Sequence, residues 1–176
     1  MLNNVKNELS LFSKYVIQQS RMNLTKGKKN VSKELYNSLD YDLNVSPNSF
    51  SLSFLMEEYG MFQDKGVKGK NSSAKAPNSP YKFGSGTGRK GGLTESINKW
   101  VRARRFQFRD KKSGRFMSYD STAFLISRSI YNKGIEASLF FTKPFERAFK
   151  RLDKDIIEAY KLDVEELLKF TTNGNN

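Results

Sequence analysis

Apolar and polar positions change their period several times along this chain. From residue 2 to about 24, Leu2, Val5, Leu9, Phe12, Val16 and Ile17 fall close to a 3.6-residue repeat, which predicts an amphipathic helix. That helix runs out in the polar, basic stretch Lys26-Gly27-Lys28-Lys29-Asn30, so residues 1–30 read as a leading helix with its linker. Ser32 is placed to cap a short second helix over Lys33 to Leu39. The period then drops to two. Tyr41, Leu43 and Val45 alternate with polar residues, Ser46-Pro47-Asn48-Ser49 offers turn chemistry, and Phe50, Leu52 and Phe54 alternate with serines. This predicts an antiparallel hairpin with one buried and one wet face, its second strand continuing through Leu55-Met56-Glu57-Glu58-Tyr59 toward Gly60-Met61-Phe62.

Residues 64–92 break both periods. They hold seven of the twelve glycines and seven Lys or Arg, with Val67, Tyr81 and Phe83 almost the only large apolar groups. Such a segment builds no packed core by itself, and the expectation is an extended basic, Gly-rich arm. Helical spacing returns over residues 93–170. Thr94 with Glu95 opens a helix carrying Ile97, Trp100 and Val101, and a basic connector, Arg102 to Arg115, follows with Phe106 and Phe108 interleaved. Asp120 reads as the N-cap of a helix with Ala123, Phe124, Ile126, Ile130 and Tyr131 inward, stopped by Gly134. Ser138-Leu139-Phe140-Phe141 suits a third strand. Thr142 and Pro144 start a last helix with Phe145, Ala148, Phe149, Leu152, Ile156 and Tyr160 on one face, and Asp163 with Glu166 suggests a capping box where it breaks and restarts. The fold class expected is α+β, with helices packed on a small antiparallel sheet, in one domain of 176 residues.

Composition narrows the chemistry. The chain has neither cysteine nor histidine, which removes thiol nucleophiles, thiolate metal sites and the commonest general base. No spacing suggests a metal site, no cofactor is expected, and the chain does not read as an enzyme. Gly86-Thr87-Gly88-Arg89-Lys90-Gly91 matches the dinucleotide pattern, but a loop precedes it where that pattern needs a strand. No apolar run is long enough for a bilayer, and the N-terminus lacks the basic and apolar blocks of a signal peptide.

Charge is distributed unevenly. The net +13 comes almost wholly from residues 64–115, which carry fifteen Lys or Arg against Asp64, Glu95 and Asp110. Such a segment is expected to meet nucleic acid or an acidic protein surface. The candidate contact residues are Lys65, Lys68, Lys70, Lys82, Arg89, Lys90, Arg102, Arg104, Arg105, Arg109, Lys111 and Lys112. Around Arg102 to Arg115 the aromatic rings either stack on single-stranded bases or belong to the core, with the cations facing solvent or a partner subunit. The lack of a known nucleic-acid signature favours the second. Acids gather at the other end: Asp153, Asp155, Glu158, Asp163, Glu165 and Glu166 alternate with Lys154, Lys161 and Lys169 as a self-paired, solvated face. In a ring of identical copies, the basic arm of one could lie on the acidic face of the next.

The order of these elements resembles the tail-completion or neck proteins of tailed phages, in particular the ring proteins of the crAss-like group. The stretches that carry the resemblance are Tyr59-Gly60 through Gly66, Ile97-Asn98-Lys99-Trp100-Val101, Ala123 to Ile135 with Lys133-Gly134-Ile135, and Phe140-Phe141 leading into Phe145. They span roughly residues 30–150, and the long insertion from Lys68 to Lys90 departs from the simpler members. The resemblance implies a virion protein made in the host cytoplasm, an α+β subunit of a cyclic homo-oligomer of about six or twelve copies. That ring would sit between the portal and adjacent neck or tail rings, with genomic DNA in its lumen and no membrane partner. The alternative is a free nucleic-acid-binding protein using residues 99–115.

Overall fold

The computed structural model describes residues 2–27, 32–46, 49–86 and 91–173, with side chains as far as Lys169. It is a mixed α+β structure of six helices and two small antiparallel sheets among the described residues. The chain forms two compact units, residues 1–57 with 140–176, and residues 58–139.

The first unit pairs helix α1 (Asn3–Lys26) with the long helix α6 (Thr142–Asn173). Short helix α2 (Glu34–Ser38) leads into strands β1 (Asp40–Ser46) and β2 (Ser49–Leu55), which form an antiparallel hairpin. The expected turn residues Pro47 and Asn48 lie outside the described residues. The 3.6-residue repeat of α1 is realised as a buried stripe: Val5, Leu9, Phe12 and Val16 pack with Leu152 and Ala159 of α6. The period of two is realised as well, since Leu43, Leu52 and Phe54 turn toward that helix pair while the serines face out. Phe54 is the hub, with edge-to-face contacts to Phe12, Phe141 and Phe145 at ring-centroid distances of 6.1, 5.2 and 5.9 Å. Each such pair contributes about 0.5–1.5 kcal/mol beyond area burial. A second cluster, Ile17, Leu24, Leu35, Leu39 and Phe140, closes the other end. Buried Ser13 and Ser20 each donate to the carbonyl four residues back, at 2.7 Å, so no hydroxyl is stranded there.

In this unit α6 continues through Asp163 without a break, contrary to the expected restart. Asp163 is 4% exposed and its carboxylate accepts from the backbone N–H groups of Asn4 (3.0 Å) and Val5 (3.1 Å) and from Asn4 Nδ2 (2.9 Å). Helix α1 has no side-chain cap of its own and no acid in its first turn. The acid that looked like a local cap therefore caps a different helix, whose orphan amide donors and positive dipole end it satisfies. Phe149 and Tyr160, expected inward, are exposed. The run 138–141 forms no strand, and β2 ends at Leu55.

The second unit contains helix α3 (Tyr59–Lys65), strand β3 (Val67–Lys68), helix α4 (Gly92–Ala103), helix α5 (Tyr119–Lys133) and strand β4 (Gly134–Ile135). Of the residues expected to prolong β2, Met56, Glu57 and Glu58 form no strand, and Tyr59 to Phe62 belong to helix α3. α4 packs on α5 through Val101 and the small buried face Thr122, Ala123 and Ser127. That small face is why Phe124 and Tyr131, expected inward, lie exposed. Ser118, not Asp120, is the N-cap of α5, accepting from the Ser121 N–H at 3.1 Å. Gly134 ends α5 as expected, at φ 85°, and donates to the Ile130 carbonyl.

The extended arm is corrected over most of its length. β3 pairs antiparallel with β4, Val67 opposite Ile135. The following chain is fastened by Lys70 N–H to the Tyr131 carbonyl (2.8 Å), Lys68 N–H to the Tyr81 carbonyl (2.8 Å) and Phe83 N–H to the Lys68 carbonyl (2.9 Å). Ala76 and Ser79 are buried, and Ser79 Oγ donates to the Gly66 carbonyl at 2.7 Å. Two of the glycines are there for close approach, not slack. A Cβ at Gly69 would run into the Asn132 carbonyl, and one at Gly134 into the Val67 carbonyl. No described helix is long and apolar enough to cross a membrane.

Candidate nucleic-acid interface

The basic, aromatic surface of the second unit is built on the exit from α4. Phe106 N–H donates to the Val101 carbonyl (2.9 Å) and Arg105 N–H to the Arg102 carbonyl (3.1 Å), with Arg105 left-handed at φ 52°. This is a Schellman-type stop with arginine where glycine is usual. Its apolar contact is Phe106 against Trp100, ring centroids 6.1 Å apart, and Phe106 stands edge-on to Phe108 at 5.3 Å. The stop turns Arg104 and Arg105 outward together.

The chain then makes a tight hairpin loop. Met117 N–H donates to the Phe108 carbonyl (2.8 Å) and Asp110 N–H to the Arg115 carbonyl (2.9 Å), bridging Arg109 to Phe116. Asp110 organises the tip. Its Oδ1 accepts from Ser113 N–H (2.8 Å), Ser113 Oγ (2.9 Å) and Lys112 N–H (3.1 Å). The Ser113 backbone bond, followed by its hydroxyl bond, holds the Asp110 carboxyl below its ordinary pKa. Lys111 and Lys112 project from this turn, exposed, and the Arg109 guanidinium lies 4.6 Å from the centre of the Phe116 ring.

Arg102 has a different job. Its Nη2 is 2.9 Å from Asp120 Oδ1 and its Nε donates to Asn98 Oδ1 at 2.6 Å, with the guanidinium over the Tyr119 ring. The Asn98 side-chain bond first, and Arg102 second, lower the pKa of Asp120. Arg102 therefore ties α4 to the start of α5.

The rings on this surface are not core, contrary to the favoured reading of the sequence. Phe106, Phe108 and Phe116 are 41%, 37% and 62% exposed, and Trp100 is exposed too. For Phe106, Phe108 and Phe116, sequence periodicity missed this because they sit on a helix stop and a loop, where no period applies, whereas Trp100 lies within α4. The structure thus brings together Arg104, Arg105, Arg109, Lys111 and Lys112 with four accessible rings. Lys65 ends α3, Lys68 lies half-buried in β3 with Lys82 bridged beside it, and Lys70 Nζ reaches the Tyr131 ring at 5.9 Å. Lys68, Lys70 and Lys82 therefore lie on the fastened segment, and Lys65 precedes it at the end of α3. Arg89 and Lys90, with most of the glycine motif, lie outside the described residues. Among the described residues no group of three or more acids is placed to hold a metal ion.

A cation-rich loop with accessible rings can lie along phosphates and stack on bases, and it can equally seat on an acidic protein face. Compared with known protein families, with characterised proteins and with solved structures, this chain matches none.

Proposed function

We propose that the chain is a structural subunit of a tailed-phage particle, one copy in a head–tail connector or neck ring between portal and tail. The observation that carries the reading is the second apolar stripe of α6. Its first stripe packs on α1, but Phe149, Ile157 and Tyr160, offset around the same helix, lie about half exposed. A stripe of that length on a soluble chain is stabilised by a neighbour. What supports the ring in particular is the order of elements described from the sequence, together with a basic surface that suits a DNA channel without reading sequence. In that setting the fastened segment 66–86 presents Lys68, Lys70 and Lys82 to an adjacent ring, with Lys65 at the end of α3 just before it.

The test is imaging of the purified chain alone and mixed with the portal protein of its own particle. Closed rings, alone or seated on the portal, are the expected result. A chain that stays single and ignores the portal would overturn the reading. A second reading, a free single-strand-binding protein, is favoured by one specific observation: the exposed rings around Arg104 to Arg115. It predicts that the monomer binds single-stranded DNA with a slope of about −0.7 per neutralised phosphate in log affinity against log salt.

A further inference from the structure

The hairpin of the first unit is a sheet of two strands, so each strand has an open side. Among the described residues no backbone–backbone hydrogen bond is made along the outer side of β1 or β2. Proteins usually guard such edges with lysine, proline, a bulge or a covering helix. β2, Ser-Phe-Ser-Leu-Ser-Phe-Leu, has none of the first three and no charge at all over seven residues, and its Phe50 and Leu55 are about half exposed. A segment of that kind is an aggregation hazard unless a defined strand covers it.

We infer that this hairpin is an intersubunit sheet element: the outer side of β2 in one copy pairs with the outer side of β1 in the next. The inference rests on the ring reading and gives it a joint. Charge decides between the possible pairings. β1 against β1 of another copy would set Asp40 and Asp42 of both strands along one seam. β2 against β2 would satisfy one edge and leave both β1 edges open. Pairing β2 with the next β1 satisfies every edge, and it is head-to-tail, the kind of contact that closes rings. Rotation about a ring axis keeps all β1 strands pointing one way and all β2 strands the other, so the new pair is antiparallel like the old one.

The internal register provides the template. Leu43 faces Leu52 and Val45 faces Phe50 on one side of the sheet, while Asp42 faces Ser53 and Asn44 faces Ser51 on the other. Both strands have seven residues, so the same register repeats between copies without overhang. Ser53 and Ser51 then stand opposite Asp42 and Asn44 of the neighbour, the register they already keep within the chain.

A second feature lies where this register ends. β1 borders a cleft of about 660 Å³ between α1 and α2, lined by Lys14, Arg21, Lys26, Tyr36 and Asp40 and by no residue of β2. With Leu55 of one copy opposite Asp40 of the next, the chain running out of β2 enters at this cleft. That chain is Glu57-Glu58, both exposed. Two carboxylates thus arrive where three cations face one acid.

The test follows amide exchange over residues 40–55 and native mass together across a concentration series of the full chain. Association should slow exchange of the β1 and β2 amides by about tenfold or more. Glu57→Lys with Glu58→Lys should weaken association about tenfold while leaving the monomer's circular dichroism unchanged, and adding Lys14→Glu with Lys26→Glu should restore it. A ring-sized mass with unchanged exchange over 40–55 and no effect of the reversals would refute this joint and leave the ring standing. A chain that stays monomeric throughout, with and without the portal protein, would refute the ring itself.

Discussion

Asp163 holds the start of a helix more than 150 positions away in sequence, and removing it is the sharpest test of the first unit. Replacement by alanine deletes three hydrogen bonds, from Asn4 N–H, Asn4 Nδ2 and Val5 N–H. Losing an aspartate cap costs about 0.5–2 kcal/mol, and leaving the Val5 N–H buried and unpaired adds about 1–2 kcal/mol. The total is about 1.5–4 kcal/mol, which for a chain of this size lowers Tm by about 3–16 °C. Asp163→Asn keeps one acceptor but loses the charge facing the positive end of α1, so about half that shift is expected. Asp155→Ala, at an exposed acid on the same helix, is the control and should stay within about 0.5 kcal/mol. Acid adds an independent readout. Burial raises the Asp163 pKa, but the bonds from Asn4 and Val5 outweigh it, and the folded-state value lies below the ordinary one. Its contribution is therefore complete above about pH 4 and is lost as pH falls through the lower folded-state pKa. The gap in Tm between the parent and Asp163→Asn should accordingly narrow below pH 4. Thermal unfolding by circular dichroism measures both effects. An alanine variant that melts within about 1 °C of the parent would refute the trans-cap.

Gly134→Ala should cost about 2 kcal/mol or more, because φ is 85° and the new Cβ meets the Val67 carbonyl, whereas Gly86→Ala, with open space at φ 85°, should cost about 1 kcal/mol; denaturant titration separates the two. Arg105→Gly should stabilise the chain by about 0.5–1 kcal/mol, since glycine adopts φ 52° without strain, and an unchanged midpoint would contradict the helix-stop geometry. Asp110→Ala should unlock the loop tip, seen as faster amide exchange at Ser113 and Lys112; the lowered pKa of Asp110 means the parent keeps this turn above about pH 4 and loosens it only below. If the single-strand reading holds, Phe108→Ser with Phe116→Ser weakens DNA binding at fixed charge by about 1–3 kcal/mol per base stacked.

The parts legible in the sequence are those whose partners share one apolar period. The stripe of α1, the alternation of β1 and β2 and the glycine stop at Gly134 all follow from residues close in sequence. The parts that were not legible depend on partners far away. Asp163 looks like a local cap because nothing near it in sequence reveals the bare start of α1. The segment 66–83 looks like an arm because its order comes from carbonyls of Tyr131 and Asn132 and from pairing with Ile135. Glycine content signals slack and close approach alike, and only the opposing backbone distinguishes them. The small face of α5 misleads in the same way, since Thr122 and Ser127 are polar by type yet buried, and Phe124 is apolar yet exposed. For the candidate interface, the cations were visible but the exposure of Phe106, Phe108 and Phe116 was not.

Native mass across a concentration series decides whether the chain works as one copy in a ring, the function proposed above. The expected result is a single discrete assembly at a fixed multiple of 20.2 kDa, formed alone or on addition of the portal protein. A chain that remains at 20.2 kDa at every concentration, with or without the portal, and binds single-stranded DNA in that state would contradict it.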